Sequence, residues 1–279
     1  MKNPPQGPNS PESKAFTTLP PEIFDRILEH IPTGDIGGRK TLTACALVAT
    51  WWTGPSQRRL FSSVTISDSN YQRWMEGVAL SRSRTRLLGY VRSLRHRCSR
   101  RAERGYPLQH LYEDSGKYLS ALNNLRSLKL IGVRIQHISE ENINPCFSVF
   151  RNTLTDLTLD YFIASFSAFV TLVDYFPNIT TLLLGPFETK PDEGPVPPLS
   201  RPLRGKVCIR ARNGCAQFFD RFATLDLKYE ELVLMFCDGE ERKNLGSALQ
   251  LGARTVKYLR LTAEFYSEHP YDNPSYRTS

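Results

Sequence analysis

Leu122-Asn123-Asn124-Leu125-Arg126-Ser127-Leu128-Lys129-Leu130 spaces its leucines by three, three and two residues. The last interval puts Leu128 and Leu130 on one side of an extended chain, because successive side chains of a strand point to opposite faces. The unit recurs as Leu154-x-x-Leu157-Thr158-Leu159 and as Ile179-x-x-Leu182-Leu183-Leu184. Shorter copies are Val207-Cys208-Ile209, Leu232-Val233-Leu234 and Val256-x-x-Leu259-Arg260-Leu261. The first strand residues of successive copies are 29, 25, 25, 25 and 27 residues apart. Between them, Phe147 and Phe150, then Phe169, Val170, Val173 and Phe176, then Phe218, Phe219 and Phe222 fall at helical spacing, and residues 245–249 offer a shorter segment of the same kind.

One L-x-x-L-x-L is weak evidence, since any amphipathic core segment supplies it. Six copies near one period predict an α/β fold in which strand, loop and helix alternate and each unit packs on the next, as in a leucine-rich-repeat solenoid. Outside the copies, 64–66 reads as a short strand, 71–88 as helical and 91–94 as an earlier strand of the array. Residues 186–202, with six prolines, read as a long exposed loop. The residues beside the inward leucines face away from the core. Lys129, Thr158, Asp160, Leu183, Arg210, Val233, Met235, Arg260 and Thr262 are therefore the candidate binding surface. Its charge is mixed and its middle apolar, which suits a protein or peptide better than a nucleic acid.

A different pattern precedes the repeats. Leu19-Pro20-Pro21-Glu22 follows Thr18, a plausible helix cap; prolines suit a first helical turn, and an acid there suits the positive helix end. Ile23, Phe24, Ile27, Leu28 and Ile31 form one helical face, ended by Pro32 and residues 33–38. A second helix is expected over 40–52, with Leu42, Cys45, Ala46, Val48, Ala49 and Trp52 at three- and four-residue intervals, broken by Gly54-Pro55. Helices this short must bury their stripes against something.

In order, Leu19-Pro20-x-Glu22-Ile23, Ile27-Leu28, Ile31-Pro32, Leu47-Val48-x-x-x-Trp52 and Arg59-Leu60-Phe61 resemble an F-box. Residues 61–66 and 91–95 are similar to the linker of fungal F-box proteins with irregular leucine-rich repeats. The chain departs from that pattern at Gly34, Gly37 and Gly38, which lengthen the connection between the helical parts, and at Trp51, a second ring beside the expected tryptophan. The resemblance implies a substrate-recruiting subunit of a cullin–RING ubiquitin ligase. The F-box docks on a Skp-family adaptor, through it on a cullin, and the repeats hold a protein substrate. It implies adaptor contacts from Leu19, Pro20, Ile23, Ile27, Leu28, Ile31, Leu47, Val48, Trp52 and Leu60, with Trp52 as the anchor. The expected organisation is a leader over 1–17, the F-box module over 18–62, a linker and first repeats over 63–110, repeats over 111–265 and a tail over 266–279.

Composition narrows the remaining classes. Hydrophobic residues make up 40% of the 279, enough for a core, yet mean hydropathy is −0.36 and no apolar run reaches the length of a bilayer span. The first 16 residues lack the apolar stretch of a secretory signal, so an intracellular protein, cytoplasmic or nuclear, is expected. The six cysteines include no C-x-x-C pair, and the histidines show no ligand spacing against them; no metal or cofactor is expected. Gly-x-Ser-x-Gly, a phosphate-binding Gly-rich loop and His-Glu-x-x-His are absent, and no enzymatic activity is expected. The net charge of +8 is concentrated between Arg82 and Arg104, where nine arginines meet one acid, Glu103. That run offers the alternative reading, a basic scaffold for nucleic acid or an acidic protein.

Overall fold

The computed structural model describes residues 20–67, 70–74, 76, 85–98, 106–107, 119, 121–135, 140–190, 196–211, 216–222, 224–225, 227–236 and 256–263. The chain divides into two compact units, Met1–Phe61 and Ser62–Ser279. Leu19, Thr18, the leader, residues 245–249 and the 266–279 tail lie outside the described residues.

The first unit holds three helices, α1 (Pro21–Glu29), α2 (Ile36–Val48) and α3 (Thr50–Phe61). Pro21 opens α1, where a missing N–H costs nothing, and Pro20 accepts bonds from the Ile23 and Phe24 amides. Phe24 and Leu28, four residues apart, are buried, as is Leu42 of α2. The Phe24 ring lies edge-on to Trp52 and Trp51, with centroids 3.9 and 4.5 Å away. Arg59 of α3 donates to the Glu29 carbonyl at 2.9 Å, satisfying an orphan acceptor at the end of α1.

Two expectations about these helices fail. The chain does not break at Gly54-Pro55, since Pro55 sits inside α3. The break is at Ala49, which is extended (φ −155°, ψ 152°), and the Thr53 hydroxyl caps α2 by donating to the Ala46 carbonyl at 2.9 Å. Nor are Gly37 and Gly38 loop residues. Asp35 caps α2 by accepting from the Gly38 amide at 2.5 Å, and Gly38 lies so near the Pro32 carbonyl that a β-carbon would overlap it.

The second unit is mixed α/β. Its strands are β1 (Ser63–Ser67), β2 (Ser93–Arg97), β3 (Tyr106–Pro107), β4 (Ser127–Ile131), β5 (Val133–Ile135), β6 (Asp156–Asp160), β7 (Phe162–Ser165), β8 (Thr181–Leu184), β9 (Phe187–Lys190), β10 (Leu203–Ala211), β11 (Leu227–Phe236) and β12 (Tyr258–Ala263). Its helices are α4 (Tyr71–Trp74), α5 (Thr85–Leu88), α6 (Glu140–Phe147), α7 (Phe166–Tyr175) and α8 (Ala216–Phe222), with a 3-10 turn at Ser148–Phe150. Eight strands form one sheet in the order β1-β2-β4-β6-β8-β10-β11-β12, every neighbouring pair parallel. Four short strands form a second parallel sheet, β3-β5-β7-β9.

The apolar-x-apolar triplets fall on consecutive strands and in register. Leu94, Leu128, Leu157, Leu182, Val207, Leu232 and Leu259 are successive lateral partners, and so are Ile66, His96, Leu130, Leu159, Leu184, Ile209, Leu234 and Leu261. These rows are buried up to β11; on the edge strand β12, Leu259 and Leu261 are exposed. Rings close the core behind them: Phe169 and Phe218 lie 5.3 Å apart, Phe166 and Phe218 5.2 Å, and Phe147 and Phe176 5.7 Å.

Two further expectations need correction. The strand expected at 91–94 is Ser93–Arg97, since His96 occupies the position that an aliphatic residue fills in the other strands. Residues 186–202 are not simply an exposed loop, because 187–190 form β9 and Phe187 is buried against Phe162 and Phe218, 5.1 and 4.5 Å away. The helix expected over 71–88 is seen as α4 and α5, most of the stretch between lying outside the described residues.

Tyr229 of β11 is fully buried, 6.4 Å from the Phe222 ring, and its hydroxyl has no hydrogen-bond partner among the described residues. Burial pushes its phenol well above the ordinary tyrosine range. An unpaired buried hydroxyl costs roughly 1–3 kcal/mol. Tyr229→Phe should therefore hold or raise the midpoint of thermal unfolding; a clear fall would mean that the hydroxyl is satisfied.

Candidate functional site: an apolar helical face and the outward face of the sheet

Sequence places more apolar side chains on the three helices than their interior takes up. On α1, Ile23 and Ile27, one turn apart, are 44% and 46% exposed. On α2, Leu47 and Val48 are 82% and 72% exposed. Ile36, Trp51 and Pro20 are exposed as well. Ile36 and Leu47 line a groove of about 610 Å³ with Ala44, Leu60 and Phe61, bordered by Arg39 and Lys40.

The expected adaptor residues thus divide. Pro20, Ile23, Ile27, Leu47 and Val48 are on the surface, and Leu60 lines the groove. Ile31 and Trp52 are half-buried, and Trp52 spends much of its ring on Phe24. Leu28 is the correction: at 2% exposure it belongs to the interior of the unit, because it shares the inward face of α1 with Phe24. Trp51 and Ile36, which sequence reasoning did not count among these residues, are exposed.

The second surface follows from the alternation of the parallel strands. Lys129, Thr158, Leu183, Cys208, Val233 and Arg260 are successive lateral partners in a row between the two inward rows. Ile131 pairs with Asp160, and Arg210, Met235 and Thr262 are successive partners farther along. All the residues expected on the substrate surface therefore occupy outward register positions. Two ion pairs tie the face across strands: Lys129 Nζ to Asp160 Oδ2 at 3.0 Å, and Lys206 Nζ to Glu231 Oε1 at 2.8 Å. Cys208 Sγ lies 3.8 Å from Met235 Sδ, and the Arg210 guanidinium reaches the same sulfur at 3.4 Å.

Sequence reasoning had Arg95 and Arg97 only as members of the basic run; the structure puts them, exposed, on the outward side of β2, with Lys129 as the lateral partner of Arg95. The signal was present in Leu94-Arg95-His96, but the histidine broke the apolar pair. Of the other arginines of the run, Arg86 and Arg92 are described, and Arg82, Arg84, Arg100, Arg101 and Arg104 lie outside the described residues. Among the described residues no three His, Cys, Asp or Glu side chains converge as metal ligands would, and no helix is long and apolar enough to cross a membrane.

No protein-family profile matches the chain, and no characterised protein matches it.

The Asp160 carboxylate is seated over Gly185, the residue that follows β8. A β-carbon at Gly185 would come within 2.1 Å of Asp160 Oδ1, an oxygen that is buried without a hydrogen-bond partner. Gly185→Ala should displace the carboxylate from Lys129 and cost about 1–3 kcal/mol by overpacking. In a double-mutant cycle followed by denaturant unfolding, that cost should fall by more than half in an Asp160→Ala background. Additive losses would show that the carboxylate does not occupy this seat.

Proposed function

We propose that the chain is a non-catalytic, substrate-recruiting subunit of a cullin–RING ubiquitin ligase, an F-box module followed by a leucine-rich-repeat-like solenoid. The observation that carries this reading is the surplus of exposed aliphatic surface on α1 and α2. Ile23, Ile27, Ile36, Leu47 and Val48 are exposed, whereas the buried apolar side chains of α1 to α3 among the described residues are Phe24, Leu28 and Leu42. Isolated surface leucines are ordinary, but five exposed aliphatic side chains on two short helices are a surplus of the kind that a partner covers. The F-box resemblance names that partner as a Skp-family adaptor, and the order of the quoted motifs along the helices supports it. The consecutive parallel strands, with a repeat close to 25 residues, support the solenoid half.

The helical face would supply affinity by apolar burial, at about 25 cal/mol per Å² removed from water, less the cost of association. Arg39 and Lys40 beside the groove would steer an acidic adaptor surface. The sheet face of the second unit would hold the substrate.

Co-expression of the full chain with a Skp-family adaptor should give a one-to-one complex on gel filtration. Ile27→Asp and Leu47→Asp, both at exposed positions, should abolish it while leaving the circular dichroism spectrum unchanged. Trp52→Ala should instead lower the thermal stability of the helices, because Phe24 loses its packing partner. A stable, folded chain that never retains the adaptor would overturn the proposal.

A further inference from the structure

The outward face of the eight-stranded sheet is not uniform. On β2 it presents Arg95 and Arg97, two residues apart and exposed, neither with a carboxylate partner among the described residues. The flanking strands add Thr65 and Ser67 on β1 and Lys129 on β4, so this end carries hydroxyls and cations. The acids of the face begin at β6, with Asp156 and Asp160, and Asp160 already engages Lys129. Farther on, β8 to β11 carry an apolar spot, with Leu183 and Met235 half-buried and Cys208 and Val233 each 7% exposed, bordered by Arg210 and by the Lys206–Glu231 pair.

Strand spacing converts this order into a ruler. Adjacent strands are about 4.8 Å apart, so β8 lies roughly 14 Å and β11 roughly 24 Å from β2 along the sheet. An extended peptide advances about 3.3 Å per residue, so it covers those distances in about four to seven residues.

We infer that this face binds an extended acidic peptide crossing the strands, with carboxylates over Arg95 and Arg97 and, four to seven residues away, one large apolar side chain on the spot between Leu183 and Met235. Arginine suits the first contact because its fork pairs bidentately with a carboxylate. The apolar spot takes a side chain that nucleic acid lacks. A polyanionic backbone would also meet Asp156 and Glu231 along the same path, and the outward ring of this sheet, Tyr258, stands on the edge strand β12, at the far end from Arg95 and Arg97. This inference rests on the reading of the second unit as the substrate-holding half and specifies the class of segment that it holds.

The test uses the full chain and a fluorescein-labelled peptide of three aspartates, a five-residue Gly-Ser spacer and one leucine, followed by anisotropy at low salt. Saturable binding is expected. It should weaken at least tenfold with Arg95→Glu/Arg97→Glu and at least fivefold with Met235→Asp, with leucine replaced by glycine, or with the spacer cut to one residue. Equal binding by wild type and all variants overturns the inference, as does tighter binding of a single-stranded oligonucleotide than of the peptide. Adaptor retention is measured on the same preparations. A chain that retains the adaptor but ignores the peptide defeats this inference alone. A chain that binds the peptide with the stated variant pattern but not the adaptor supports the inference and defeats the ligase reading.

Discussion

The lateral register of the parallel strands is the constraint on which the second unit depends. β4, β6, β8, β10 and β11 each contribute two buried aliphatic side chains, and each pair lies beside the corresponding pair on the next strand. Burying one such side chain is worth about 1.5–3 kcal/mol, so a strand slipped by one residue would lose both and expose them. Registers other than the observed one are therefore heavily disfavoured. His96 is the exception within the rows. It is 4% exposed among aliphatic neighbours, with its Nδ1 3.5 Å from Cys98 Sγ.

Fixing the inward rows also fixes what remains outside. The outward positions bear no packing duty toward the core, so their chemistry varies from strand to strand: cations on β2, an ion pair from β4 to β6, aliphatic and sulfur-bearing side chains over β8 to β11. Neighbours on this face are far apart in sequence, Lys129 and Asp160 among them, yet ion-paired at 3.0 Å. A binding face of graded composition follows from a backbone that repeats and side chains that do not.

The helical unit obeys the opposite rule. Its interior is small: Phe24 wedged against two tryptophans, with Leu28 and Leu42. Three short helices cannot enclose every aliphatic residue that they carry, and the remainder stands in water on α1 and α2. Such a surface is stable only marginally by itself and gains by being covered.

Sequence by itself determined the period, the strands at Leu128, Leu157, Leu182, Val207, Leu232 and Leu259, and the alternation that sends Lys129, Thr158, Asp160, Leu183, Arg210, Met235 and Arg260 outward. These are local consequences of a two-residue pleat repeated along the chain, which a linear reading can follow. Tertiary structure decided what depends on contacts remote in sequence. It put Leu28 inside, on the same face of α1 as Phe24, and left Ile36 and part of Trp51 exposed. It carried α3 through Gly54-Pro55 because Thr53 closes α2 at Ala46. It made 187–190 a strand because Phe187 finds Phe162 and Phe218. It also placed Arg95 beside Lys129, a pairing across 34 positions that no local pattern signals, and so gave the outward face its basic end.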